Sequence, residues 1–372
     1  MEEPKQLKDY FDQKLAQRLA ELIEDVYPQF DRSGFVKQVS AQLKPLELKD
    51  RVAVMAQGLR DFLPEDYPKA LAILTRILGP ENPHKGGMFV HGFQLMPVEH
   101  FVGTYGLDHF DASMKAMYEI TKRFTAEFAI RPFLMRYEKE TLKVLSQWVT
   151  DENEHVRRLV SEGSRPRLPW AMRLPSFIHD PKPTLKLLEK LKDDPSEYVR
   201  KSVANHLNDI TKDNPDLAVD VLARWAKGAS KERMWIVRHA LRSLVKQGHT
   251  EALAILGFEP PKVKVTNFEV KTPVVKFGEA LVFQFELMSE AKKQQDLVID
   301  YVIHFVKANG STSPKVFKMS TRTLDAGEAL VLDRKHAIRP ITTRTYYGGT
   351  HRVEVQVNGQ VLAGGDFELD MG

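Results

Sequence analysis

The 372-residue chain contains no cysteine, which excludes disulfides, thiol nucleophiles, iron–sulfur clusters and cysteine-type zinc sites. No apolar run approaches the roughly 20 residues that a membrane helix needs. The opening Met1-Glu2-Glu3-Pro4-Lys5-Gln6 has no basic stretch leading into an apolar one, so no secretory segment is expected. The 12 histidines never fall at H-x-x-x-H or H-E-x-x-H spacing, so no metal site is expected. G-x-x-x-x-G-K-[ST] and G-x-G-x-x-G are both missing, which disfavours nucleotide hydrolysis and dinucleotide cofactors. Nor is there much charge of one sign: 54 basic against 50 acidic side chains leave +4, too little to argue for nucleic acid. What remains, 42% hydrophobic and 28% charged, is the composition of a globular protein with a real core, and the lack of cysteine fits a reducing cytoplasm.

The pattern changes near Gly257-Phe258-Glu259-Pro260-Pro261. Upstream, apolar residues recur at helical spacing, as in Leu15, Leu19, Leu22, Ile23 and Val26. Downstream they alternate, as in Leu281-Val282-Phe283-Gln284-Phe285-Glu286-Leu287 and Val353-Glu354-Val355-Gln356-Val357. Asn358-Gly359 marks a two-residue hairpin, because both residues tolerate positive φ. The expected fold is α+β and multidomain. An α-solenoid of HEAT-like repeats over 1–257 precedes an all-β, antiparallel, immunoglobulin-like sandwich over 258–372, with about seven strands.

The helical part hides a repeat. His155-Val156-Arg157-Arg158, Tyr198-Val199-Arg200-Lys201 and Ile236-Val237-Arg238-His239 align on a Val-Arg pair, spaced by 43 and 38 residues, as HEAT-like helical pairs would be. Counted from the shared arginine, positions −1 and +3 are Val156/Val160, Val199/Val203 and Val237/Leu241, one apolar face. Positions +1 and +5 are Arg158/Glu162, Lys201/Asn205 and His239/Ser243, all polar. Stacked, these form a polar ledge on the concave side of a short solenoid, with Asp209 near Glu162. Each repeat follows an acidic or polar turn that resembles a helix-start signal: Asp151-Glu152-Asn153, Asp193-Asp194-Pro195-Ser196 and Gly228-Ala229-Ser230-Lys231. The stretch from His155 to Pro175 carries five arginines (157, 158, 165, 167 and 173) against Glu162 alone, so any anion-binding surface centres there.

A carboxylate among arginines stays ionised. It suits stabilising a developing positive charge or orienting water, as glycosidic cleavage through an oxocarbenium-like transition state requires. Guanidinium groups suit phosphates. An already cationic base leaves without a general acid, so the want of an obvious proton donor is no obstacle. Trp170, after Arg165-Pro166-Arg167-Leu168-Pro169, is expected at the groove rim, with Pro169 opening a new helix. Glu127 and Arg131 are four apart on a helix that Pro132 disturbs, which makes Glu127 a second acid. The plainer alternatives stay open. Arg–Glu pairs at this spacing are most often salt bridges, the Arg of each Val-Arg pair more readily bridges repeats than touches a ligand, and Trp170 and Trp235 are more often core than functional.

Ser161-Glu162-Gly163-Ser164-Arg165-Pro166-Arg167-Leu168-Pro169-Trp170-Ala171 resembles the signature of the AlkC group of bacterial DNA alkylation-repair glycosylases. So does Gly103-Thr104-Tyr105-Gly106-Leu107-Asp108, continuing through Thr121-Lys122-Arg123-Phe124-Thr125-Ala126-Glu127-Phe128-Ala129-Ile130-Arg131-Pro132. The resemblance spans most of the helical part. It implies HEAT-like repeats holding duplex DNA on their concave face, excision of 3-methyladenine and 3-methylcytosine, and an immunoglobulin-like domain that touches DNA. It also implies that Glu162 is the principal carboxylate, with Glu127 and Asp209 as further acids and Trp170 as the aromatic at the lesion.

The expectation is thus a monomeric, cytoplasmic, nucleoid-associated DNA glycosylase without metal or nucleotide cofactor, acting on duplex DNA that contains alkylated bases. Arg158, Arg165, Arg167, Arg173, Lys201, Arg238, His239 and Arg242 are the expected DNA contacts. The rival is a non-enzymatic HEAT-repeat scaffold for DNA or protein, which leaves a lone acid inside a basic stretch unexplained.

Overall fold

A computed structural model of the chain describes residues 6–83 and 92–372. Over these residues fifteen α-helices, from Gln13–Val26 to Thr250–Ile255, precede eight strands. Helices Glu154–Gly163, Glu197–Ile210 and Lys231–Lys246 start where the three turns predict. Asn153 accepts from the His155 amide at 2.9 Å and Ser230 from the Arg233 amide at 3.2 Å, each satisfying one orphan donor of a first turn. The repeat's apolar face is the core face: Val156, Val160, Val199, Val203, Val237 and Leu241 are all fully buried.

The chain packs as two compact units, residues 1–214 and 215–372. The change from helix to strand lies between Ile255 and Val263, near the proline pair. The packing boundary lies earlier, so helices Pro215–Ala226, Lys231–Lys246 and Thr250–Ile255 cluster with the strands.

In the first unit, helix Glu154–Gly163 packs along helix Glu197–Ile210. Two local expectations give way there. Glu127 lies in the turn before helix Ile130–Arg136, not on a helix with Arg131. Pro132 falls in that helix's first turn, where a missing N–H costs no bond, so it disturbs nothing. Pro169 opens no helix either. Trp170 takes φ 64°, a left-handed conformation that cannot continue a right-handed helix, and the next helix begins at Pro175.

The second unit's strands are β1 (Val263–Val270), β2 (Val274–Lys276), β3 (Ala280–Ser289), β4 (Gln295–Val306), β5 (Thr312–Leu324), β6 (Ala329–Ala337), β7 (Gly349–Val357) and β8 (Gln360–Asp370). They form a three-stranded sheet, β1-β3-β6, and a five-stranded one, β2-β8-β7-β4-β5. All pairings are antiparallel except β2 with β8, a three-residue strand too short to read from alternation. Leu281, Phe283, Phe285 and Leu287 of β3 meet Ile299, Tyr301, Ile303, Val353 and Val355 in one core between the sheets.

The Asn358-Gly359 hairpin closes β7 and β8 with φ of 42° and 82°, the geometry of a type I′ turn. The Asn358 side chain also accepts from the Val298 amide at 2.7 Å and donates to the Glu259 carbonyl at 2.8 Å. Gly359 meets Gly248 backbone to backbone: a Cβ on Gly248 would stand 2.6 Å from the Gly359 carbonyl oxygen. Beside it, Gln356 of β7 donates to the Lys246 carbonyl at 3.2 Å, so the end of helix Lys231–Lys246 is tied to the five-stranded sheet.

Candidate active site

Six charged side chains form one network in the first unit. Glu162, on helix Glu154–Gly163, is 6% exposed. Its Oε1 accepts from Arg165 Nη1 at 2.7 Å and its Oε2 from Ser202 Oγ at 2.5 Å. Arg158, one turn earlier, donates to Glu127 Oε2 at 2.8 Å, and its other amino group lies 3.6 Å from Glu162. Arg165 continues to Asp209, Nε to Oδ2 at 2.8 Å, and Lys212 reaches the other oxygen of Asp209 at 2.9 Å. The three acids predicted from the sequence are thus joined through two guanidinium groups that bridge them. Arg158 also lies over the Tyr198 ring at 4.9 Å, a cation–π contact that covers one face of its guanidinium.

Burial opposes charge on Glu162, Glu127, Arg158 and Arg165, and the partners decide the outcome. Burial alone would raise the Glu162 carboxyl, but Arg158, Arg165 and the Ser202 hydroxyl hold it below its ordinary value, so it is ionised. For Glu127 burial outweighs Arg158, and Glu162 nearby pushes the same way, so this carboxyl is raised. Of the pair, Glu127 takes a proton first and Glu162 stays anionic. Arg158 resists the depressing effect of burial because Glu127 and Glu162 flank it, and is raised. Three carboxylates thus face two bridging guanidinium groups and the Lys212 ammonium, and an ionised carboxylate such as Glu162 is chemically suited to stabilising a developing cation.

Other predicted residues are placed differently. Arg167 spends its fork on Asp213, at 2.6 and 2.5 Å. Arg158, Arg165 and Arg167, expected to grip phosphates, are therefore committed to internal carboxylates. Arg173 and Lys201 are exposed. Arg238, His239 and Arg242 lie on helix Lys231–Lys246 in the second unit, with Arg238 exposed and His239 stacked on Trp235 at 4.9 Å. Trp235 is 39% exposed rather than core. Trp170 is 60% exposed and stands at the rim of a cavity of about 440 Å³, whose walls include Met96, Phe128, Pro132 and Met172. Of the repeat arginines, Arg157 bridges to Asp194 of the next repeat at 2.7 and 3.0 Å, while Arg200 caps the carbonyls of Asp194 and Pro195.

Several supporting residues escaped the sequence reading. Ser202 sits two places after the shared arginine, where the other repeats carry buried Leu159 and Ala240; that break in an apolar position was the available signal. Glu99, 2% exposed, accepts from the amides of Phe128 at 3.0 Å and Ala129 at 2.5 Å, fixing the turn that carries Glu127. Burial pushes its carboxyl up to about 8. A raised acid contributes stability below its unfolded value near 4.5, and that contribution is lost as pH climbs toward 8. Glu99→Gln should therefore match the wild type in stability at pH 5 and exceed it at pH 9, by up to about 4 kcal/mol. Denaturant unfolding at the two pH values measures this, and a difference that does not change with pH would contradict it.

A model described as "DNA alkylation repair enzyme" matches residues 123–244, which contain Glu127, Glu162 and Asp209. A second, "Uncharacterised protein YhaZ, C-terminal Ig-like domain", matches residues 264–371. The chain is 38% identical over 365 residues to the uncharacterized protein YhaZ of Bacillus subtilis strain 168, covering 98% of this chain and 99% of that one. It is also similar to the alkylpurine DNA glycosylase AlkC of Pseudomonas fluorescens, solved bound to DNA containing an abasic-site analogue. There the identity is 42%, the TM-score 0.90, and the coverage 98% of this chain and 99% of that chain. Helical unit, buried acid cluster and immunoglobulin-like sandwich together define a DNA alkylation-repair enzyme. Within that class, the chain belongs to the family of AlkC.

Proposed function

We propose that this chain is a monofunctional glycosylase that hydrolyses the N-glycosidic bond of cationic N-alkylated bases, 3-methylcytosine and 3-methyladenine, in duplex DNA. The observation that carries the reading is Glu162, an anion kept ionised by two guanidinium groups and a serine inside a cluster rich in carboxylates. As the C1′–N bond breaks, its electron pair neutralises the departing base and positive charge passes to the sugar. Glu162 stabilises that charge, Glu127 and Asp209 add to the field, and Trp170 supplies an aromatic face at the rim. Water then adds to C1′ and releases a proton. The exposed cations, Arg173, Lys201 and Arg238, are left to meet phosphates, with the sandwich extending the footprint, and one chain acts alone.

Single-turnover assay on a duplex with one 3-methylcytosine tests this, and the expected result is release of the base and an alkali-labile abasic site. Binding without release would mark a scaffold instead. Affinity for undamaged duplex should fall steeply with salt, by about tenfold or more between 50 and 200 mM, because released counterions drive phosphate binding. A flat response would point to a protein partner.

A further inference from the structure

Arg131 is fully buried, and the reaction described above makes no use of it. Its Nη1 donates to the carbonyls of Gly163 at 3.1 Å and Arg165 at 2.8 Å, and its Nε donates to the carbonyl of Met172 at 2.7 Å. One guanidinium therefore ties both ends of the segment that leaves helix Glu154–Gly163, carries Arg165 and Trp170, and returns at Met172. The Lys49 ammonium holds the same segment at the Trp170 carbonyl. Trp170 itself is in the left-handed region, φ 64°, which is unfavourable for a non-glycine residue and persists only where the surroundings impose it.

Nothing about packing requires a guanidinium here. Its Nη2 is buried and donates to no protein atom, and burial brings the group down to about 10. An apolar side chain of similar volume would fill the same space but leave those three carbonyls without their donor. What an apolar residue cannot do is gather three carbonyls of one loop at fixed angles. We propose that Arg131 is a positioning residue for base excision: it fixes the 163–172 segment so that Arg165 reaches Glu162 and Asp209 while Trp170 stands at the cavity rim. The proposal rests on the glycosylase reading.

The test uses the full chain with Arg131→Met, Arg131→Lys, Trp170→Ala and the double variants. Single-turnover excision of 3-methylcytosine at saturating enzyme and affinity for undamaged duplex are measured for each. Arg131→Met should lose about 30-fold in rate with duplex affinity within about threefold, since sub-ångström misplacement is costly for chemistry and cheap for phosphate contacts. Arg131→Lys, which reaches one carbonyl but cannot fork, should recover to within about fivefold of wild type. In the Trp170→Ala background the Arg131 substitutions should cost less than they do alone, because the share of their effect carried by Trp170 is already gone while the share carried by Arg165 remains. Should Arg131→Met not fold, the lysine variant and its cycle with Trp170→Ala carry the test. Wild-type rates in the variants that fold, or equal losses with and without Trp170, overturn the proposal. A wild type that releases no base overturns the glycosylase reading and this proposal with it; a wild type that excises while the variants match it overturns this proposal alone.

Discussion

Glu162→Gln should leave duplex binding within about threefold of wild type and slow excision by two to three orders of magnitude, about 3–4 kcal/mol of transition-state stabilisation. The amide is isosteric: its oxygen can accept from Arg165 while its Nε2 donates to the Ser202 hydroxyl, and the helix face that carries it is unchanged. The negative charge goes. A unit charge about 4 Å from a developing cation is worth about 4 kcal/mol at an effective dielectric of 20, the scale of the expected loss. Because the Glu162 carboxyl is held below its ordinary range, the wild-type rate should not depend on its titration between pH 6 and 8. An unimpaired Glu162→Gln enzyme would move the catalytic charge to Asp209 or Glu127.

The second large effect is on stability. Arg165→Met removes the one cation shared by Glu162 and Asp209, which are 6% and 1% exposed. Leaving buried carboxylates without their partner costs about 3–5 kcal/mol, which for a unit of this size lowers the melting temperature by roughly 10 °C. The deficit should depend on pH. In the wild type the depressed Glu162 contributes stability above its unfolded value near 4.5 and loses it as pH falls through its folded value. In the variant burial raises the same group, so its contribution is lost as pH rises. Both shifts act in one direction, and the gap between the proteins should be widest near pH 7 and narrow toward 4.5. Calorimetric melting at pH 5 and 7 measures this; equal gaps, or none, would show that Glu162 is not held by Arg165.

These interactions show why some of the site was readable from sequence and some was not. The repeat placed Glu162 and Arg158 on one helix because positions four apart share a face. Asn358-Gly359 and the alternation of β3 and β7 declared the sandwich, since backbone sterics act over a few residues. The partners of the acids are far away in the chain: 31 residues separate Arg158 from Glu127, 44 separate Arg165 from Asp209, and 46 separate Arg167 from Asp213. Periodicity carries no information over such spans, so arginines that composition assigns to phosphates turn out to be engaged with carboxylates. The helix expected at Pro169 is missing for a local reason: proline at a first turn permits a helix without requiring one.

The contact between Gly248 and Gly359 bears on how the protein can be divided. The proline pair near residue 260 looks like a place to cut, yet a fragment ending there would keep three helices and discard the sheet they lean on. Insertions that evolution or an engineer tries at the proline pair must therefore respect a junction already closed on both sides, one that a single added methyl group would force apart.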